Sequence, residues 1–139
     1  MVKNPVMVTP DTSVRTVAES MLERSIGSII IAENDRPVGV ITERDLVRRV
    51  LALGKKAESL TAVEVCSKPV IAISEFDEVN SAVDLMKQNK IRRLVVVDMN
   101  DKVVGIVTTD DIGYNLKQMS EQLAIVYMVL YTRGKSKFR

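Results

Sequence analysis

Thr42 and Asp45 stand three residues apart after the apolar run Val38-Gly39-Val40-Ile41, and Thr108 and Asp111 stand in the same relation after Val104-Gly105-Ile106-Val107. The chemistry open to such a pair is recognition of a nucleoside phosphate. A Thr hydroxyl and the free N–H groups of a starting helix can bond phosphate oxygens. A carboxylate can accept both hydroxyls of a ribose, and aliphatic walls can sandwich a purine. The second pair has further help from Ile91-Arg92-Arg93-Leu94, where two cations open an apolar run, whereas the corresponding Ile26-Gly27-Ser28 carries no charge. The phosphate signal is therefore stronger in the second copy, which leaves Thr42, Arg44 and Asp45 to serve a weaker or empty site.

The same residues also have a purely structural explanation. Thr42 and Thr108 end a strand and begin a helix, and an Asp three residues on completes a pair like a capping box. Carboxylates in a first turn suit the helix dipole, and an Arg at the start of a strand is as often merely solvated. Gly39 and Gly105 add context. Each sits inside a β-branched strand, where Gly costs stability unless a backbone or a ligand must come close.

Catalysis is poorly provided for. The chain has no His, so the commonest general acid–base group and the commonest transition-metal ligand are missing, which excludes zinc hydrolases and His-dependent triads. Asp110-Asp111 could hold magnesium beside a nucleotide, but no nucleophile, base and orienter are grouped anywhere. Gly134-Lys135-Ser136 imitates the end of a phosphate-binding loop and fails, because the position five residues before Gly134 is Val129. No enzyme, metal site or resident cofactor is expected.

Composition narrows the partners. Apolar residues make up 46% and aromatics 4%, with no Trp, so the core is aliphatic and there is no platform for stacking successive bases. Twenty Lys and Arg against 18 Asp and Glu leave a formal charge of +2, too little to argue a polyanionic partner. Cys66 alone cannot form an internal disulfide, and with no secretory signal read at Met1 the reducing cytoplasm is the expected compartment.

A repeated scaffold must position these groups. Val14, Val17, Ala18, Met21 and Ile26 fall on Val79, Ala82, Val83, Met86 and Ile91 at a shift of 65, and the Thr-Asp pairs match at 66. A unit that appears only twice is a duplicated half-domain, not a solenoid, which needs three or more repeats. The halves are expected to pack as pseudo-twofold mates, each in the order β-α-β-β-α.

In the first half the reading is a strand over 5–9 and a helix from Val14 to about Arg24 with Thr12 as N-cap. A hairpin of 28–32 and 38–41 follows, buried on both faces or nearly so. Then comes a helix from Glu43 to about Leu53 with Leu46, Val47, Val50 and Leu51 inward. The second half repeats the order over 70–73, 78–88, 94–97, 103–107 and 110–117, after a polar connector at 54–59 and a short helix at 61–66. An extra helix is expected over 120–131, with a basic tail at 133–139. Its nine consecutive apolar residues are too few to span a bilayer, where about 20 are needed.

The fold class is α/β (α+β), and the whole pattern resembles a tandem pair of cystathionine-β-synthase (CBS) domains over roughly residues 5–117. Two G-h-h-T-x-x-D motifs, the Ile-Gly-Ser and Ile-Arg-Arg strand starts and the run Ile41-Thr42-Glu43-Arg44-Asp45 carry the resemblance. It implies one motif at 5–59, a second at 60–117 and an appended helix and tail at 118–139. In that family two motifs form a compact Bateman module, two modules commonly associate as a flat dimer, and the clefts of many members bind AMP, ADP, ATP or S-adenosylmethionine.

Residue by residue, the family's ribose-binding Asp matches Asp45 and Asp111, and its phosphate-contacting Thr or Ser matches Thr42 and Thr108. Its basic strand-start residue matches Arg92 and Arg93, with Gly27 and Ser28 at the first-half counterpart. The backbone that holds the adenine matches Val8 and Thr9 in one half and Ile71, Ile73 and Ser74 in the other. In that family such pairs usually regulate an attached enzyme, channel or transporter, and this sequence departs from the pattern because no such domain is read in it. The expectation is therefore a free-standing regulatory module that senses an adenosyl ligand and signals to a separate partner protein, without a membrane, and that forms a homodimer through the apolar run 123–131 and the outer faces of the repeat helices. The rival reading is a nucleic-acid-binding or partner-binding protein acting through the extra helix and basic tail, whose binding to nucleic acid would weaken steeply with salt.

Overall fold

In the computed structural model the described residues are 1–114 together with 128 and 129. The helix and basic tail expected over 118–139 lie outside them, except that Met128 and Val129 are helical and exposed. The elements in chain order are β1 (Val2–Lys3), β2 (Met7–Val8), α1 (Val14–Arg24), β3 (Ser28–Glu33), β4 (Arg36–Thr42) and α2 (Glu43–Leu46), which runs on as a π-helical turn, Val47–Leu51. A 3-10 turn at Ala57–Ser59, α3 (Ala62–Val65), β5 (Ala72–Ser74), α4 (Val79–Asn89), β6 (Arg93–Val97), β7 (Val103–Thr108) and α5 (Thr109–Tyr114) complete them. The β-α-β-β-α order is present twice in this mixed α and β chain, and β1 is an addition the sequence reading missed.

Two compact units share these elements. Of the described residues, one unit comprises Asn4–Val70 and Met99–Val103, and the other Met1–Lys3, Ile71–Asp98 and those from Val104 to Tyr114.

The first unit holds a three-stranded sheet in the order β2-β3-β4, with β2 parallel and β4 antiparallel to β3. Asn34 and Asp35 both take positive φ, 53° and 63°, the backbone of a tight hairpin turn whose twist matches the flanking strands. The N-cap of α1 is Ser13, whose Oγ accepts the Thr16 N–H at 3.1 Å, and not Thr12. The Thr12 N–H bonds Thr9 O at 3.1 Å, and this closes a turn that leaves Ser13 as the last extended residue. Val14, Val17 and Met21 meet Ile29, Ile31, Ile41 and Val50 in the core, sealed by Ala62, Val65 and Cys66.

Two burial expectations need correction. β3 is buried from Ile29 to Ala32, but in β4 only Gly39 and Ile41 are buried, as alternation along a half-covered strand requires. After β4, Val50 is buried and Leu46 packs on the core, whereas Val47 and Leu51 are 53% and 75% exposed. Leu46 and Val50 form one i,i+4 row and Val47 and Leu51 the next, about 100° round the helix, and only the first row reaches the core.

The second unit holds a four-stranded sheet, β1-β7-β6-β5. β5 runs parallel to β6, and β1 runs antiparallel to β7 with Val2 opposite Ile106. Its core is Ile73, Ala82, Val83, Met86, Leu94, Val96 and Ile112. The repeat is imperfect at the helix start. Val14 is buried and its N–H bonds Leu60 O at 2.9 Å, but its counterpart Val79 is 43% exposed.

Gly39 and Gly105 resolve the same way. A Cβ at Gly39 would lie 2.6 Å from Cys66 Sγ and 3.2 Å from Ser67 O, and one at Gly105 would lie 2.7 Å from Met1 Sδ and 2.9 Å from Val2 O. Both glycines make room for a neighbouring segment of the chain, Cys66-Ser67 beside β4 and Met1-Val2 beside β7.

Candidate functional site

In the first unit the junction of β4 and α2 is a complete capping box. The Thr42 N–H donates to Asp45 Oδ2 at 3.0 Å, and the Asp45 N–H donates back to Thr42 Oγ1 at 3.2 Å. Thr42 Oγ1 also donates to Asp45 Oδ2 at 3.1 Å. The other carboxylate oxygen accepts from Ser67 Oγ at 3.0 Å, and Arg49 Nε stands 3.9 Å from it. Asp45 is only 7% exposed, so these partners replace the water it gives up. Arg49 in turn donates through Nη1 to Val65 O at 2.9 Å and Cys66 O at 2.7 Å, holding the end of α3.

The strand start lies beside this junction. Ser28 is paired with Thr42 across the β3–β4 ladder, and Gly27 O accepts the Glu43 N–H at 3.1 Å. Gly27, Ser28, Thr42 and Asp45 are thus one neighbourhood, with Arg44 exposed on the first turn of α2. Val8 and Thr9 are not part of it. Val8 pairs with Ile31 on the opposite edge of β3, and Thr9 Oγ1 donates to Asp11 Oδ1 at 2.6 Å, which holds the exposed Asp11 carboxyl below its ordinary pKa.

The second unit repeats the junction with different side chains. The Thr108 N–H donates to Asp111 Oδ2 at 2.9 Å and the Asp111 N–H to Thr108 Oγ1 at 3.2 Å. Thr109, where the first unit has Glu43, is 2% exposed, and its N–H bonds Arg92 O at 2.9 Å. Arg92 and Arg93 are half-buried, Arg92 at this backbone bond and Arg93 as the first residue of β6. Ile71, Ile73 and Ser74 belong to the far edge of this sheet. Ile71 O accepts the Val95 N–H at 3.3 Å, Ile73 is buried, and Ser74 turns the chain, its N–H donating to Asp77 Oδ2 and its Oγ accepting the Phe76 N–H.

Sequence reasoning missed Ser67, Arg49, Glu43 and Thr109. Ser67 lies 22 positions from Asp45, outside the motif, and its counterpart opposite Ile106 is Val2, so the repeat gives no signal for it. Glu43 and Thr109 were visible in the sequence as the variable residue after each Thr, and comparing the two copies there would have exposed the difference. Among the described residues no three His, Cys, Asp or Glu side chains cluster for a metal, and no helix is long and apolar enough to cross a membrane.

The family model described as CBS domain matches residues 1–52 and 62–115, more than half of the chain. The chain belongs to the CBS-domain family. A protein of Methanopyrus kandleri, MK0525, is 47% identical to this CBS chain over 104 residues, 74% of the chain and 53% of the relative, so the chain spans about half of that relative's length. Among solved structures, the CBS domain pair of protein MJ0100 in complex with 5′-methylthioadenosine and S-adenosyl-L-methionine is similar at TM-score 0.71 and 30% identity, covering 81% of this chain and 87% of that one. The CBS domain protein PAE2072 from Pyrobaculum aerophilum, complexed with AMP, shares the fold at TM-score 0.76 and 23% identity, covering 93% and 95%.

Proposed function

We propose that this CBS chain binds an adenosyl ligand at its Thr-Asp junctions, does not transform it, and reports its occupancy to a partner protein. One observation carries the reading. In each unit the start of an earlier strand is brought by a backbone hydrogen bond to the strand-to-helix junction that carries the Thr-x-x-Asp pair, and in the second unit that strand start supplies Arg92 and Arg93. An Arg is suited to a phosphate, Thr108 to a further phosphate oxygen and Asp111 to ribose hydroxyls. The adenosyl complexes of the two similar structures favour the same ligand class.

The ligand is the cargo and no resident cofactor is needed, though Asp110, exposed at the start of α5, could share magnesium with a nucleotide. A cytoplasmic pool of adenosyl metabolites is the setting that suits such a sensor, and a homodimer is the state we assign it. Calorimetric titration with AMP, followed by chromatography of the recovered nucleotide, tests the reading. Saturable binding that weakens in Asp111→Ala, with AMP recovered intact, is expected, and conversion of AMP would overturn it.

A further inference from the structure

We infer that Glu43 sets the ligand class of the first junction: the Thr42/Asp45 group takes an adenosyl ligand whose 5′ substituent is uncharged or cationic, such as a thioether or sulfonium, while the Thr108/Asp111 group takes a 5′-phosphate. This rests on the adenosyl reading above and adds a selectivity that reading does not contain.

The two junctions share one backbone bond, which fixes their equivalence independently of any alignment. The Glu43 N–H bonds Gly27 O at 3.1 Å, and the Thr109 N–H bonds Arg92 O at 2.9 Å. Glu43 therefore stands where the second unit has Thr109, and Gly27 where it has Arg92. A Cβ at Gly27 would lie 3.5 Å from both Cδ and Oε1 of Glu43 and 3.8 Å from Oε2. The Glu43 carboxylate thus covers the strand start from which, in the other unit, an Arg side chain leaves.

The consequence is a reversal of charge. The second junction combines a cation at the strand start with a neutral, buried Thr109, and a phosphate placed there gains a charge-assisted hydrogen bond. At the first junction the cation is gone and a carboxylate lies in its place, and an anion beside a like charge within about 4–6 Å is disfavoured. Arg44 carries the opposite charge, but one residue on it leaves the helix about 100° round from Glu43. The groups left at the strand start, the Ser28 and Thr42 side chains, are neutral and suit an uncharged substituent, and the Glu43 carboxylate suits a cationic one.

Calorimetric titration of the full chain with AMP and with 5′-methylthioadenosine tests this in wild type, Asp111→Ala, Glu43→Gln and Glu43→Thr. Glu43 is exposed, so neither change at 43 removes core packing, and the Gln variant removes charge while keeping shape. AMP should bind one equivalent per chain and be lost in Asp111→Ala, which should still bind the thioether. Both Glu43 variants should admit AMP at the first junction at least about tenfold more tightly. Binding of 5′-methylthioadenosine should stay within about twofold. Unchanged AMP binding in both Glu43 variants, or competition of the two compounds for the Asp111 junction alone, would overturn the selectivity and leave the adenosyl reading standing. If wild type binds neither compound, the selectivity falls, and the adenosyl reading falls with it when ADP, ATP and S-adenosylmethionine also fail to bind.

Discussion

Ser67 Oγ donates to Asp45 Oδ1 at 3.0 Å and so ties the segment after α3 to the first turn of α2. The carboxylate that caps the helix also holds the neighbouring chain. Removing it leaves the Thr42 N–H and the Ser67 hydroxyl without this acceptor in a part-buried place. Asp45→Ala should therefore cost about 1–3 kcal/mol in urea unfolding. In a double-mutant cycle with Ser67→Ala the two losses should be clearly less than additive, and strict additivity would show that the hydrogen bond carries no energy.

Gly39 and Gly27 should respond oppositely to alanine. At Gly39 the new methyl would collide with Cys66 Sγ and crowd Ser67 O, so overpacking of about 1–3 kcal/mol is expected. At Gly27 it would meet Glu43 at ordinary contact distance, and reduced freedom of the unfolded chain should leave stability unchanged or raise it by about 0.4–1 kcal/mol. Thermal unfolding of the two variants decides, and equal melting temperatures would contradict the packing described at Gly39.

Cys66 should be inert in the folded protein. Its thiol is buried against Gly39, and burial, the largest cause, pushes its pKa up. Because the folded value is raised, the unfolded chain loses this proton first as pH rises. The thiol's contribution to stability is therefore complete below the ordinary thiol value and declines above it. Alkylation by iodoacetamide at pH 8 should be far slower in native protein than in urea, and equal rates would show that the thiol is accessible.

A homodimer should form through the first unit's helices. Leu22 is 81% exposed, Val47 and Leu51 are mostly exposed, and Ala18, Met21, Leu22, Ser25, Glu43 and Leu46 line a groove of about 350 Å³ between α1 and α2. An apolar surface of this kind favours self-association. Light scattering should give twice the chain mass, falling toward the monomer in Leu22→Glu with Leu51→Glu, whereas a wild-type monomer at millimolar concentration would refute it.

The scaffold was legible in the sequence where periodicity carries it. Val14, Val17 and Met21 at helical spacing, the β-branched run from Ile29 to Ile31 and the Thr-x-x-Asp spacing all led to elements of the expected type. Three features escaped. Thr12 and Ser13 are both good N-caps, and only the turn closed on Thr9 O decides between them. Val47 and Leu51 fit a helical stripe as well as Leu46 and Val50 do, and the choice depends on where the core lies. Val2–Lys3 is too short for any period to announce a strand, and its pairing with β7 is a tertiary fact. At the junctions the paired Thr and Asp were read from two copies, but the partners that distinguish them, Ser67 and Glu43, lie at positions where the copies differ.

The central claim, binding of an adenosyl ligand, is tested most directly by the melting temperature of the full chain with AMP, ADP, ATP, 5′-methylthioadenosine and S-adenosylmethionine. A ligand at about 100 times its Kd adds about 2.7 kcal/mol, which for a domain of this size is a rise of several degrees. At least one compound should produce that rise in wild type, and AMP should produce less of it in Asp111→Ala. An unchanged melting temperature with all five at millimolar concentration would contradict the account.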